Sequence, residues 1–348
     1  MLAPLAGDDI IENGRSSRNL EKRVAMRVLT LAQREQFEME GYVVVDGVLD
    51  PVKDWAPVIA DCERVLDGVA EALLRKGRIQ STYRDLDFAG RLIQVCIESA
   101  QNFWQDFDIS LPLTGVRHDT PINVSPAMFR LLTSPRLLDL VDDLIGPEIY
   151  SNPVQHVRLK LPERAVTKTG PYSGLVSQTS WHQDNGVILP EGDESKILTV
   201  WVPVNRATIE NGCLQVFPSS HGSGLIPHCP VEKGLTISDS LLPANAPVPL
   251  AMQPGSVLLM TSRTVHSSLD NRTENEVRIS LDLRYQPVSK PTGRPAFPGF
   301  VARSTACPSS VMNDPAAWAS LWLEARARLA EVNDPTFNRW KAGVGVCA

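Results

Sequence analysis

The stretch VRISLDLRY (277–285) alternates apolar and polar side chains, which is the pattern of a β-strand with one buried face. Short β-rich runs of similar character recur from Ile149 onward, separated by Gly, Pro and Asn. They are QHVRLKLP (155–162), ILTVWVPV (197–204), CLQVFP (213–218) and SVLLMT (256–261). Many short strands with turn residues between them predict a jelly-roll core, a double-stranded β-helix of the cupin-like kind, at about 149–287.

Helical patterns dominate the chain before this core. Thr30 and Gln33 match a capping box, Gly41 is placed to end that helix, and 42–45 is a β-branched strand. Further helical patterns occupy 55–69, about 88–107, 125–146 and 318–332. The predicted class is therefore α+β, with N-terminal helices and a C-terminal helix around the core. Residues 1–28 are interpreted as a flexible arm, and 29–348 as a single domain.

Composition narrows the range of partners. The formal net charge of −6 argues against a nucleic-acid or anionic-membrane binder, and no apolar run reaches the roughly 18 residues that span a bilayer. The N-terminus lacks the basic start and apolar run of a secretory signal. We expect a small-molecule partner and a monomer or homodimer, without nucleic acid or membrane.

The six cysteines are scattered, without any CxxC pair. Their spacing predicts neither a zinc site nor a disulfide framework, and it favours reduced thiols. The predicted location is cytoplasmic.

One histidine opens the sequence His182-Gln183-Asp184, in which His182 and Asp184 share one face if the segment is extended. His266 lies 84 residues later, directly after an apolar strand. Two histidines and one carboxylate on one side of an octahedral metal ion leave positions open, as iron(II) oxygenases require. The His-x-Asp spacing alone is common by chance, so the interpretation depends on the segment that follows.

That segment places Arg278 twelve residues beyond His266 and Ser280 on the same strand face. A guanidinium with a neighbouring hydroxyl suits the distal carboxylate of a dicarboxylate. An inward charge among Val277, Ile279 and Leu281 would be costly without an anion. The alternative is that Arg278 faces solvent or pairs with Glu276.

At this point the chain resembles the phytanoyl-CoA dioxygenase family of iron(II)- and 2-oxoglutarate-dependent oxygenases. Four segments carry the resemblance, in order: FEMEGYVVVDGVLD (37–50), WHQDNG (181–186), VWVPVNRATIENGCLQVFPSSHGSG (200–224) and MQPGSVLLMTSRTVHSSLDNRTENEVRISL (252–281). The family chemistry combines iron(II), 2-oxoglutarate and O₂, with succinate and CO₂ released. Hydroxylation of an unactivated C–H bond in a small organic molecule is its default reaction.

The resemblance implies a role for each matching residue. His182, Asp184 and His266 would bind iron, and the distal carboxylate of 2-oxoglutarate would contact Arg278 and Ser280. Lys160 would add a polar contact to the co-substrate, and Trp201 would line its pocket. Arg278 stands one residue further from the last histidine than is usual for the family, so Arg284 is the alternative.

Two other classes stay open on the sequence alone. One is a non-catalytic jelly-roll protein that binds a small molecule. The other is a zinc hydrolase with the same three ligands, although an HExxH helix is lacking. Metal content and affinity for 2-oxoglutarate distinguish these classes from an oxygenase.

Overall fold

A computed structural model describes residues 28–166, 178–231, 234–332, 337, 339–341, 343 and 345–347, and it confirms the α+β jelly roll. The helices are α1 (Leu31–Glu40), α2 (Ala56–Arg75), α3 (Phe88–Ser99), α4 (Trp104–Phe107), α5 (Pro126–Leu132), α6 (Pro135–Ile145) and α7 (Pro315–Ala330). The strands are β1 (Tyr42–Val45), β2 (Ile149–Ser151), β3 (His156–Lys160), β4 (Leu198–Pro203), β5 (Leu214–Val216), β6 (Cys229–Val231), β7 (Gly234–Thr236), β8 (Val248–Leu250), β9 (Val257–Thr261), β10 (His266–Ser268), β11 (Arg278–Pro287) and β12 (Phe300–Arg303).

Two antiparallel sheets form the core. The larger has seven strands in the order β1-β9-β4-β11-β2-β12, with β3 also paired to β11. The smaller has the order β10-β5-β8, and β6 and β7 form a separate ribbon. The predicted strand at 277–285 becomes β11, which lies centrally because β4 borders it on one side and β3 and β2 on the other.

The alternation along β11 separates two environments. Leu281 and Leu283 are buried in the hydrophobic core that the larger sheet shares with the helices. The alternate side chains of Arg278, Asp282 and Arg284 lie on the opposite face, which is turned toward the smaller sheet. The polar side chains thus line the inside of the jelly roll, while the apolar ones anchor the strand to the helical layer.

The N-terminal capping motif forms as predicted. Thr30 and Gln33 make both bonds of a capping box, and α1 ends at Gly41 with φ of 80°. A Cβ atom at Gly41 would lie 2.4 Å from Nδ1 of His221, so this position needs glycine for packing as well as for its backbone. Residues 1–27, which make up nearly all of the predicted arm, lie outside the described residues.

Two predicted helices are each divided in the structure. The helix expected at 88–107 stops at Ala100, whose φ is 52°, and resumes as α4. The helix expected at 125–146 is interrupted between α5 and α6. Pro135 lacks a backbone N–H and disfavours a helical conformation in the residue before it, which accounts for the second break.

The expectation of unpaired cysteines was wrong. Cys229 and Cys347 form a disulfide, with 5.2 Å between their Cα atoms. The remaining thiols are free; those of Cys62, Cys96 and Cys213 are buried, and that of Cys307 is exposed. The bonded residues lie 118 positions apart, so no local spacing could have indicated the pair. None of the helices in the described ranges is both long enough and apolar enough to cross a membrane.

Candidate metal centre

His182 and His266 are cross-strand neighbours. The amide of each donates to the carbonyl of the other, with both N–O distances 3.0 Å. This pairing sets the imidazole rings side by side, with centroids 4.2 Å apart. The fold therefore brings together two residues that are distant in sequence, and it holds them through the backbone of β10.

A backbone carbonyl fixes the tautomer of each ring. Nδ1 of His182 lies 2.9 Å from the Ser180 oxygen, and Nδ1 of His266 lies 3.0 Å from the Thr264 oxygen. Because a carbonyl only accepts, each Nδ1 must carry the proton, which leaves the Nε2 lone pair free. Histidines that bind metals are commonly oriented in this way.

Asp184 completes the group. It begins a short 3-10 turn (Asp184–Val187) two residues after His182, and it is 1% exposed. Potential ligand atoms of Asp184 and both histidines all lie within 4.8 Å of one another. Elsewhere in the described ranges, no other set of three histidine, cysteine or acidic side chains converges in this way.

Two side chains hold the carboxylate of Asp184. Thr199, on β4, donates its hydroxyl to Oδ2, and Arg284, on β11, donates Nη2 to Oδ1. Arg284 also donates Nη1 to the Val154 carbonyl at 2.8 Å, so its guanidinium is fixed at two points. Two residues of the larger sheet therefore hold the carboxylate oxygens in place.

The protonation states of these side chains suit the binding of a divalent cation. Burial, followed by the neighbouring His266, lowers the pKa of His182 to about 3. Burial alone would raise the pKa of Asp184, but Arg284 and then the two histidines hold it well below its usual range. His182 is thus neutral and Asp184 ionised at neutral pH, which are the states that metal ligands need.

A cavity is lined by both histidines and by Arg278. Its wall comprises Arg158, Thr179, His182, Trp201, Leu214, His266, Arg278 and Asp282. The wall therefore combines two of the candidate metal ligands with a buried guanidinium.

Arg278 has the character of an anion-binding group, and no carboxylate of the described residues forms an ion pair with it. It is 2% exposed, its Nη1 donates to Ser280 at 2.5 Å, and its Nε has no hydrogen-bond partner. Its guanidinium carbon lies 5.4 Å from the centre of the Trp201 ring. Burial lowers the pKa of Arg278 to about 10, so it stays charged at neutral pH. Such a group favours a ligand with a carboxylate.

Lys160 lies beside Arg278 but is held differently. The two residues are in register between β3 and β11. The Lys160 ammonium donates to Ser268 Oγ at 2.6 Å and to the Leu269 carbonyl, and it does not line the cavity. Burial, and then Arg278, lowers the pKa of Lys160 well below its usual range. Its hydrogen bonds join the larger sheet to the end of β10.

The other histidines stand apart from this group. His118 contacts Glu331 at the surface, His156 contacts Asp108, and His221 braces the end of α1. His228 is fully buried, and its Nε2 accepts from the Gln183 amide at 2.8 Å. Its Nδ1 lies 2.7 Å from the carbonyl of Ile226, so this ring also has a fixed tautomer.

Sequence reasoning missed several residues of the site. Arg284, considered only as an alternative for the co-substrate, contacts Asp184 instead. Arg158 and Asp282 line the cavity as a pair, with 3.3 Å between Nη2 and Oδ2. The period of two along β3 and β11 would have placed both residues on the inner face. The long loops of the sequence also offer Tyr172 and Phe297 as candidate substrate contacts. Phe297 packs against Trp322 in the core, and Tyr172 lies outside the described residues.

Comparisons of the sequence with known proteins find related chains. A family model described as Phytanoyl-CoA dioxygenase (PhyH) matches residues 37–280. The chain is 26% identical over 247 residues to a probable phytanoyl-CoA dioxygenase of Caenorhabditis elegans, covering 66% of this chain and 75% of that protein. It is 23% identical over 253 residues to the peroxisomal phytanoyl-CoA dioxygenase of Homo sapiens, covering 71% of this chain and 65% of that protein.

A solved structure shares the fold. The non-heme monooxygenase ThoJ, in its apo form, superimposes with a TM-score of 0.53 and 18% identity, over 85% of this chain and 98% of that one. At this identity the likeness concerns the architecture alone. It supports the jelly roll derived above.

Proposed function

Because the chain belongs to the phytanoyl-CoA dioxygenase family, we propose that it is an iron(II)- and 2-oxoglutarate-dependent dioxygenase that hydroxylates an unactivated C–H bond of a small organic molecule. Membership of this family indicates a dioxygenase-type enzyme, which is a broader class than the specific hydroxylase proposed here. Iron(II), 2-oxoglutarate and O₂, the cofactors predicted from the sequence, are those that this family uses. The individual residue roles and the hydroxylation are our proposal.

One observation carries the proposal. Free Nε2 atoms of His182 and His266 converge with the Asp184 carboxylate, and the cavity that both histidines line also contains Arg278, whose Nε has no hydrogen-bond partner among the described residues. Two nitrogens and one oxygen form the 2-His-1-carboxylate donor set of non-haem iron(II) oxygenases. A dicarboxylate that reaches from the metal to the guanidinium would satisfy both ends, so the residues present fit iron together with 2-oxoglutarate.

Each side chain has a defined task. His182, Asp184 and His266 would hold the metal on one side and leave the cavity side open. Arg278, aided by Ser280, would receive the distal carboxylate and so fix the orientation of the keto acid. Trp201 would limit its position from the side, as part of the cavity wall. Iron(II), with 2-oxoglutarate and O₂, would supply the oxidising power, while the protein supplies orientation and a shaped cavity.

The substrate side of the cavity is mixed in character. Arg158 and Asp282 give it a charged pair, while Leu214 and Trp201 give it apolar surface. This combination favours a small molecule with both polar and apolar parts, such as a natural-product intermediate. The carboxylate at 184 disfavours halogenation, because the halogenating relatives usually have a small residue there.

Succinate release tests the proposal directly. Purified protein with Fe(II), 2-oxoglutarate and O₂ should release succinate slowly even without substrate. His182→Ala and Asp184→Ala should abolish this release, because each removes one metal ligand. Unchanged turnover in either variant contradicts the metal site.

Metal analysis separates the remaining classes. Zinc without affinity for 2-oxoglutarate would indicate a hydrolase, and a protein that takes up no metal would indicate a binding protein. Uptake of iron(II) together with 2-oxoglutarate is the expected result.

A further inference from the structure

The metal-binding turn, defined here as residues 182–188, is covered by the C-terminal end of the chain. Arg339 donates Nε to the Ile188 carbonyl at 3.0 Å and Nη2 to the Asn185 carbonyl at 3.3 Å. Trp340 donates Nε1 to the Gly186 carbonyl at 2.6 Å. Three carbonyls that follow Asp184 are therefore satisfied by two adjacent residues from a distant part of the sequence.

An ion pair fixes Arg339 in this position. Its Nη1 and Nη2 contact the two carboxylate oxygens of Asp193 at 2.6 and 2.7 Å. The side chains of Arg339 and Asp193 are 12% and 28% exposed, so the pair is only partly screened by water. Arg339 thereby ties the turn to the loop that follows it.

Trp340 also supports the residue before Asp184. Its ring stacks on His228, with centroids 5.5 Å apart and an interplanar angle of 25°. His228 in turn accepts the amide of Gln183. Trp340 therefore stabilises both sides of Asp184, through Gln183 on one side and Gly186 on the other.

A disulfide links the C-terminal end covalently to the segment that contains His228. Cys229 directly follows His228, and its partner Cys347 lies seven residues after Trp340. A covalent link over 118 positions restricts the separation of the C-terminal end from the metal-binding turn. The link joins the same two parts of the chain that the His228–Trp340 stack brings together.

We propose that Arg339, Trp340 and Cys347 form a C-terminal clasp that sets the direction of Asp184 and makes metal affinity depend on the oxidation state of Cys229 and Cys347. The inference rests on the proposed metal site. Arg339 and Trp340 act as positioning residues, since they contact the backbone of the turn and not the metal. Outer contacts of this kind orient metal ligands, and their loss weakens binding.

Opening the clasp needs a reductant. A dithiol would attack one sulfur of the Cys229–Cys347 bond, form a mixed disulfide and then release it by closing its own disulfide. Two electrons and two protons pass to the protein, which leaves two thiols, and the dithiol is oxidised. Oxidation by a disulfide compound of the same class reverses the step.

Titration of the metal-free, full-length protein with Mn(II), followed by the EPR signal of the free ion, tests the clasp without catalysis. Cys347→Ser, which removes the disulfide, and Trp340→Phe, which keeps a ring but loses the N–H, should each raise the Kd by roughly tenfold. Arg339→Lys should do the same, because lysine cannot make the forked contact. Cys307→Ser is the matched control, since this exposed thiol is free, and it should bind like wild type.

Two further readouts separate positioning from general stability. The absorption spectrum of bound Co(II) should shift in Trp340→Phe, because it reports ligand geometry, while circular dichroism stays unchanged. Treatment of wild type with a dithiol should raise the Kd, and reoxidation should restore it. Cys347→Ser should not respond to either treatment.

The possible results are distinct. If wild type binds Mn(II) and Cys347→Ser and Trp340→Phe bind it equally well, the clasp is refuted and the metal site stands. If wild type fails to bind any divalent ion, the proposed function and the clasp fall together. Selective weakening in the clasp variants, with the Cys307→Ser control unchanged, supports both.

Discussion

Arg284 donates directly to the carboxylate of Asp184 in the interior of the jelly roll, where the two side chains are 3% and 1% exposed. A carboxylate buried this deeply stays ionised only if a cation or hydrogen-bond donors compensate for the loss of water. Thr199 supplies the second contact. Arg284 thus maintains the negative charge that a metal ion would later use.

Removing this guanidinium should weaken metal binding. Arg284→Gln keeps a donor but loses the charge, so Asp184 becomes easier to protonate and less well oriented. We expect a ~10- to 100-fold rise in the Kd for Mn(II), measured by EPR titration near pH 7. Arg84→Gln is the control, because Arg84 is an exposed arginine paired with Asp67 and Glu71. Equal affinities in the two variants would contradict a role for Arg284 at the metal.

Arg278 gives a test in which stability and binding change in different directions. Because its guanidinium is buried and forms no ion pair with any described residue, Arg278→Met should leave the free energy of unfolding of the metal-free protein unchanged or higher. The affinity for 2-oxoglutarate should fall at least ~100-fold, since two charge-assisted hydrogen bonds are lost. Calorimetric titration and urea unfolding measure the two quantities.

Arg158→Met is the matched control for that experiment. Arg158 is paired with Asp282, so its loss leaves a carboxylate less compensated and should lower the free energy of unfolding. Loss of stability in Arg278→Met with full affinity for 2-oxoglutarate would show that Arg278 is a structural residue.

A variant of Lys160 distinguishes two possible roles of this residue, a contact to the co-substrate and a link between the two sheets. Its ammonium is already bonded to Ser268 and Leu269, outside the cavity wall. We therefore expect Lys160→Met to reduce 2-oxoglutarate affinity by less than ~10-fold, which is below the value of one lost hydrogen bond to a charged group. A loss as large as that in Arg278→Met would place the ammonium on the co-substrate, as the family resemblance implies.

His228 should make the metal-free protein sensitive to mild acid. Burial lowers the pKa of His228 from 6.5 to about 4, so the unfolded chain binds a proton over this range while the folded protein does not. Its contribution to stability is complete above pH 6.5 and is lost as the pH falls toward 4, by on the order of 3 kcal/mol. Urea unfolding at pH 7 and pH 5 should show that His228→Gln loses less free energy of unfolding between these pH values than wild type does. An equal loss in the two proteins would contradict the lowered pKa of His228.

Local patterns predicted the strands and the family well. The period of two in 277–285 and the turn residues between β-rich runs specify half-buried strands, and the order of motifs identifies the family. The structure brings His182, Asp184 and His266 together as the motifs suggested, although their role as iron ligands stays a prediction. The division between α5 and α6 was visible in principle, because Pro135 stands within the helical pattern.

Other features depend on long-range geometry. Strand alternation places Arg284 on the inner face, but only the folded position of Asp184 decides that the two pair. The Cys229–Cys347 bond and the Trp340–His228 stack connect segments that no local pattern links. The roles of Arg278, Ser280, Lys160 and Trp201 toward a co-substrate remain predictions for the same reason, since they depend on a molecule that the sequence does not specify.

The reciprocal amide-carbonyl pair between His182 and His266 affects how a metal ion would enter the proposed site. Since main-chain hydrogen bonds hold the two backbones and carbonyl contacts hold both imidazoles, little conformational entropy is lost when an ion enters, and the protein need not refold around it. An ion at the proposed site should then leave and return as a reversible exchange with a preorganised apoprotein. Metal-depleted protein should be restored by reloading, without new synthesis.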